Sequence, residues 1–325
     1  MKAWQPLPAA RIEQLRTLAA GMRSYAPISA QIVARITDDI ESGGDVARAI
    51  SGHPDWGTPL FATRALAGVH WLILAGLAPD MEQHFRHHES RRDDPAWCDE
   101  LWNHFRAVVL GHPREIRAAL DRPVQQHQPG RAATLLNGLS MLAAPKVQLL
   151  ELGACAGLNL LVDRYWWFGD GWQWGDENSP VRLATRGRRP GQFEIVDRAG
   201  CDLAPRDAGN AEDAMVLRSC LPIERDINRM ELDDALALAA TDPGLTVDKA
   251  DAVEWLAQQM RERPRSRHVY TVVWHSLFWG FLSPQQQHDI ERIMDSAARN
   301  RRLAHISYEP VWAWSASRLR LTVYS

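Results

Sequence analysis

The residue types and spacing best suited to chemistry lie in Glu151-Leu152-Gly153-Ala154-Cys155-Ala156-Gly157-Leu158-Asn159. This stretch follows a short apolar run, Val147 to Leu152, and precedes an apolar segment expected as a helix, Gly157 to Tyr165. A glycine turn between a buried strand and a helix lets backbone N–H groups approach a ligand. A nicotinamide fingerprint needs G-x-G-x-x-G, and Cys155 stands where its second glycine belongs. Glu151 precedes the first glycine by two residues, where a carboxylate can bond polar groups of a ligand lying across strand ends. A tight strand–helix turn with no ligand is the competing reading.

Two more acids follow strand candidates: Asp202, in Arg198 to Pro205, and Asp251, in Ala250 to Leu256. Ligands of doubly wound sheets bind outside the carboxyl ends of the strands, so three acids ending three successive strands form a coherent nucleoside site. Each acid alone could equally be a helix cap. Beyond the next strand, His275 could accept a proton from an attacking hydroxyl, thiol or amine, or be a buried histidine satisfied by backbone. Glu309, after the last parallel strand, is a second catalytic candidate for the same cleft.

Other signals are set aside. His84, His87 and His88 share helical spacing, but no third supported ligand is evident, so no metal is expected. Cys155 could have a depressed pKa at a helix N-terminus, yet no partner histidine is identifiable. A G-x-S-x-G elbow and a G-x-x-x-x-G-K-[ST] loop are both absent.

The elements that must position these residues fall into two halves. Up to about residue 140 the pattern is helical: Ile12, Leu15, Leu18, Ala19 and Met22 make one stripe. Thr63 to Ala78 is apolar nearly all round and is expected as a buried central helix, followed by helices over Trp97 to Val109, Arg114 to Leu120 and Arg131 to Leu142. Prolines 54, 59, 79, 113 and 123 fall between these segments. After Pro145, strand candidates appear at Val147 to Leu152, Gln192 to Val196, Leu245 to Val247, His268 to Trp274 and Arg302 to Tyr308. Helices are expected between the later ones, over Ala211 to Ala240 (broken at Pro222), Ala252 to Arg261 and Pro284 to Asn300. Such alternation predicts an α/β domain with a mainly parallel sheet. Tyr165 to Trp174 carries Asp170-Gly171 between aromatic runs and predicts a hairpin insertion, either covering the sheet edge or walling a ligand cleft.

Composition bounds the rest. The chain has 325 residues, 46% apolar and 24% charged, with a formal net charge of −3. That gives no pull toward nucleic acid or an anionic membrane. Lysine occurs only at Lys2, Lys146 and Lys249, a skew toward arginine read as compositional habit. Four scattered cysteines argue against a thiolate zinc site or a disulfide scaffold. No signal-peptide core or membrane-length run is seen, so a soluble cytoplasmic protein is expected.

The E-x-G-x-C-x-G string resembles the first motif of class I S-adenosylmethionine-dependent methyltransferases, with Cys155 in place of the central glycine. The resemblance implies that Glu151, Gly153, Ala154, Cys155, Gly157 and Asn159 shape the methionine end of a cofactor site. Asp202 would bond the ribose hydroxyls, Asp251 the adenine amino group, and His275 would lie near the methyl. No N-P-P-Y-like tetrapeptide follows the fourth strand, which argues against a nucleobase amine as acceptor. The wider arrangement is similar to a bacterial family, the domain of unknown function 2332 (DUF2332). Val69 to Gly76, Leu150 to Tyr165 with its A-G-L-N-L-x-x-D-R-Y string, Gly200 to Pro205 and His275-Ser276 carry that likeness. The family tends to show Q-T-N-E-x-x-R before the first strand; here Gln125 and Arg131 match, while His127 and Gln128 replace Asn and Glu. Gln125, His127 and Arg131 are therefore the substrate candidates. Methyltransferase sheets usually close with an antiparallel pair, of which Leu319 to Tyr324 could be only the first member.

The expected architecture is thus a helical domain over 1–140 and a Rossmann-like methyltransferase domain over 141–325, with the aromatic insertion at about 165–190. The expected function is S-adenosylmethionine-dependent methylation of a small-molecule acceptor, with homo-oligomerisation left open. The alternative is a non-catalytic module of the same fold that binds a nucleoside or a protein partner.

Overall fold

Amphipathic segments become helices and buried apolar runs become strands in the computed structural model, which describes residues 6–58, 60–85, 91, 93–266, 268–310 and 316–324. The chain divides into two units, Met1–Gln126 with Met215–Arg229, and His127–Ala214 with Met230–Ser325.

The first unit is helical: α1 (Ala9–Met22), α2 (Pro27–Ser42), α3 (Asp45–Ile50), α4 (Phe61–Leu74), α5 (Pro79–Phe85), α6 (Pro95–Gly111) and α7 (Pro113–Leu120). Helix α4 stops at Leu74 rather than Ala78. Gly76 at φ +72° lets Leu77 N–H return to the Leu72 carbonyl, a C-terminal wrap that a left-handed glycine permits. Helices α2 and α3 were not expected. Ile28, Ile32, Ile36 and Ile40 of α2 recur at i+4 and are all buried in the core.

Residues 215–229 complete this unit. The Glu224 carboxylate accepts from Ile28 N–H at 2.9 Å, Ser29 N–H at 3.0 Å and Ser29 Oγ at 2.7 Å. Helix α2 opens with Ala26 and Pro27 and has no side-chain cap of its own, so Glu224 supplies the missing acceptor. Glu224→Ala should cost about 2 kcal/mol in urea unfolding and Glu224→Gln about half that; a cost below about 0.5 kcal/mol for Ala would refute the capping role. His70, in α4, lies with Nδ1 3.1 Å from the carbonyls of Ser219 and Leu221. Burial pushes its pKa down to about 4, so the neutral ring donates there.

The second unit is α/β. Its six-stranded sheet has the order β6-β5-β1-β7-β8-β9, with β1 Lys146–Leu152, β5 Glu194–Asp202, β6 Val247–Lys249, β7 Tyr270–Ser276, β8 Arg302–Pro310 and β9 Ser317–Tyr324. The first five strands run parallel, and β9 pairs antiparallel and directly with β8. The central strands β1, β7 and β8 are buried or half-buried along most of their length and mainly apolar, as parallel strands covered on both faces are, with polar exceptions such as Glu151 and His275. Helices α11 (Ala252–Glu262) and α12 (Pro284–Ala298) cover one face, over Leu150, Leu152, Val273 and Leu303. Helix α8 (Ala132–Leu142) lies on the other, where a side chain at Gly138 would strike Ile306. Helices α9 (Ala211–Ser219) and α10 (Asp226–Ala239) are separated around Pro222 as expected, and the end of the first and the start of the second belong to the helical unit.

The aromatic insertion forms its own three-stranded sheet, β3-β2-β4, from β2 Trp166–Gly169, β3 Trp172–Gly175 and β4 Arg182–Ala184. The Asp170-Gly171 hairpin is present, and Trp167 faces Trp174 across it. Two of the hairpin's aromatics are buried: Trp167 fully, with Nε1–H on the Val162 carbonyl at 2.8 Å, and Trp174, which stacks on Phe193, whereas Phe168 is exposed.

One expectation fails where it matters. The segment after the glycine turn is not an α-helix but a 3-10 turn, Leu158–Leu161. Gly157 is left-handed at φ +71°, and Asn159 and Asp163 turn inward to bond Glu151 and Arg198 instead of solvent. The helix-terminus argument for ligand binding or for a reactive Cys155 therefore does not apply here.

Candidate functional site

The strand order reverses between β1 and β7: from β1 the chain goes outward through β5 and β6, then returns to β7 on the other side. Such a switch point opens a crevice at the carboxyl ends of the two strands. Glu151 of β1 and Trp274 of β7 are register partners there, and Trp274 Nε1–H donates to Glu151 Oε1 at 3.1 Å.

Glu151 is 1% exposed. Asn159 Nδ2–H also donates to its Oε1, at 2.7 Å, while Oε2 has no hydrogen-bond partner and neither has Oδ1 of Asn159. Burial pushes the Glu151 carboxyl up to about 8, against the two hydrogen bonds and the field of Arg131. Arg131 comes from a second 3-10 turn, Pro129–Arg131, which packs against Leu158–Leu161. Desolvation lowers its pKa; the fields of Glu151, Tyr308, Cys155 and Glu309 oppose that shift. His127, just before this turn, is buried with Nε2 unpartnered, and burial followed by the Arg131 charge pushes it down to about 3. Gln125 is buried as well, in the helical unit.

The glycine turn is wired to β5. Ala154 N–H donates to the Cys201 carbonyl at 2.9 Å, Cys155 N–H to Asp202 Oδ2 at 3.0 Å, and Gly157 N–H back to the Ala154 carbonyl at 2.7 Å. Gly153, Cys155 and Gly157 all have positive φ, at +70°, +53° and +71°. Gly153 could carry no side chain for a second reason: its Cβ would stand 2.4 Å from the Phe278 ring.

Asp202 ends β5 as anticipated; its other oxygen accepts from Ala204 N–H at 2.9 Å. Asp251 is the N-cap of α11, with Oδ1 taking Val253 and Glu254 N–H and Oδ2 taking Gln286 Nε2–H. His275 and Glu309 are together: Nδ1–H of His275 donates to Glu309 Oε1 at 2.7 Å. The same oxygen accepts from Phe278 and Trp279 N–H, which holds the loop after β7. His275 Nε2 lies 2.9 Å from Nε2 of His305, and its ring stacks on Trp279. Both ring nitrogens of His275 are therefore engaged inside the protein.

Sequence reasoning missed His305 and Trp274. A lone histidine in the apolar run Leu303 to Ser307 carries no motif, and only the register of β7 and β8 brings it to His275. Burial pushes His305 down to about 3. Among the described residues no group of His, Cys, Asp and Glu could hold a metal, and His84 is spent on the Trp97 carbonyl; His87 and His88 lie outside the described residues. None of the four cysteines forms a disulfide. Among the described residues no single helix is long and apolar enough to cross a membrane.

The string A-G-L-N-L-x-x-D-R-Y now has a physical account. Asn159 holds Glu151, Asp163 forks with Arg198, and Tyr165 Oη–H donates to the Leu158 carbonyl at 2.5 Å. A family model described as "Uncharacterized protein conserved in bacteria (DUF2332)" matches residues 12–325, and the chain belongs to that family. No curated protein matches the chain.

Proposed function

We propose that this member of the DUF2332 family binds S-adenosylmethionine at the carboxyl ends of its parallel strands and transfers the methyl group to a small-molecule acceptor. The observation that carries the reading is the pair of unpartnered buried acceptors, Glu151 Oε2 and Asn159 Oδ1, at the switch point between β1 and β7. Buried polar atoms rarely stay unpaired, and two acceptors fit a ligand group rich in donors, such as the ammonium of a methionine moiety. The strand order and the acids at the ends of β1, β5 and β6 support the same reading.

In it, Glu151 and Asn159 hold the amino end, Asp202 the ribose, and the N-terminus of α11 beside Asp251 the adenine. The cofactor would supply a methyl on an already activated sulfonium. What remains for the protein is to align the acceptor and keep water out. Arg131, whose charge acts on Glu151, and His127, on which the Arg131 charge acts in turn, would orient a polar acceptor. His275 acts on the acceptor only if its bond to His305 opens.

That last condition favours a second reading, a binding module without chemistry. The Phe278 ring against Gly153 and the internally bonded amides of Ala154, Cys155 and Gly157 support it too.

Calorimetric titration with S-adenosylmethionine and S-adenosylhomocysteine tests both. Binding by the wild type should weaken roughly a hundredfold in Asp202→Ala, about 3 kcal/mol for two lost charge-assisted hydrogen bonds. A thermal melt of the variant separates this from local unfolding of the turn. No binding by the folded wild type would sink the cofactor reading. Binding with no turnover of any acceptor class would select the module.

A further inference from the structure

Glu151 and Asn159 contain a mismatch that one proton resolves. As carboxylate and amide they meet through Nδ2–H···Oε1 at 2.7 Å, and the second atom of each, Oε2 and Oδ1, is a buried acceptor without a donor. A carboxylic acid and a carboxamide are complementary: each offers one donor and one acceptor on adjacent atoms. With the amide N–H already on one oxygen of Glu151, a proton on the other gives Oδ1 its donor and closes a cyclic pair. In the ligand-free protein that proton satisfies both orphans, and a donor-rich ligand group would take its place.

The surroundings agree. Facing Glu151 are Trp274 from β7, which donates to Oε1, Arg131 from the 3-10 turn, Asp202 from the end of β5, and the Tyr165 hydroxyl. Arg131 alone carries a charge that favours the anion. Asp202 opposes it, and the loss of water opposes it most, which pushes the carboxyl up to about 8.

We infer that Glu151 stands as a neutral carboxylic acid sharing its proton with Asn159, and that a cationic nitrogen is admitted beside it only in exchange for that proton. The exchange balances: R–NH₃⁺ and Glu–COOH become an ammonium–carboxylate pair, and one H⁺ goes to solvent. This second half rests on the cofactor reading above; the first half does not.

Infrared difference spectroscopy of the ligand-free protein, wild type minus Glu151→Gln, decides the first half. Glutamine reproduces the donor and acceptor of the protonated acid, so the fold is kept. One carboxylic-acid C=O stretch is expected in the wild type at pH 7, vanishing with a midpoint near pH 8. In Asn159→Ala the band should move to higher frequency as its hydrogen bond is lost. A pH 7 difference spectrum with carboxylate bands and no carboxylic-acid C=O band would overturn the proposal. For the second half, titration of S-adenosylmethionine at pH 7 in buffers of different ionisation enthalpy should release about one proton per ligand, and none in Glu151→Gln. Binding without proton release overturns the exchange. Absence of binding withdraws the exchange together with the cofactor reading and leaves the infrared band as judge of the proton.

Discussion

Glu151→Gln should be as stable as the wild type near pH 4.5 and increasingly more stable above it, with the gap levelling off near pH 8. Folded Glu151 keeps its proton up to about 8, whereas its ordinary value is 4.5. Between those limits the folded wild type binds one more proton than the unfolded chain, so its stability falls as pH rises. Each pH unit is worth about 1.4 kcal/mol, for an upper figure of about 4–5 kcal/mol above pH 8. Glutamine has no proton to lose and avoids the decline. Urea unfolding of both proteins at several pH values reads the difference directly, because all other titrations cancel. A variant less stable than the wild type throughout would mean that Glu151 is ionised and paired with Arg131.

Arg198→Met should cost about 3–5 kcal/mol, the usual result of removing one partner from a buried ion pair. Arg198 makes two parallel bonds of 2.8 Å to Asp163 and one of 2.6 Å to the Leu160 carbonyl. The two side chains are only 7% and 19% exposed. Without the guanidinium, the Asp163 carboxylate and the Leu160 carbonyl are left in a dry place. The double variant Arg198→Met/Asp163→Leu should recover most of the loss, since two apolar groups of similar volume bring no unpaired charge. A double-mutant cycle by denaturant unfolding measures this. A single-variant loss below 1 kcal/mol would place the pair among ordinary surface bridges.

How far such geometry can be read in advance depends on the range of the interaction. The strands β1, β7 and β8 were legible because burial on both faces writes an apolar run into the chain. Helix α12 was legible as a segment opening at Pro284 between two strand candidates. The segment Gly157 to Tyr165 misled for the opposite reason. Its leucines sit at helical spacing, but Asn159 and Asp163 answer to Glu151 and Arg198, and no local pattern names a partner 35 residues away. Asp251 shows both sides. The cap on its own helix was one of the readings available from sequence, whereas the bond from Gln286 was not. His275 was found and His305 missed, because a motif draws attention to one and only strand register reveals the other.

The bond from Glu224 to the start of α2 spans 195 residues of chain. On a ribosome adding about 5–20 residues per second, Ser29 waits on the order of 10–40 s before its acceptor exists. During that interval α2 and the floor under His70 are unfinished, and the whole glycine-turn segment has already emerged. The helical unit cannot be completed first, although it comes first. Its assembly during synthesis depends on the chain's return excursion, so a stall or cleavage before residue 215 would release a nascent chain whose leading half lacks its final segment.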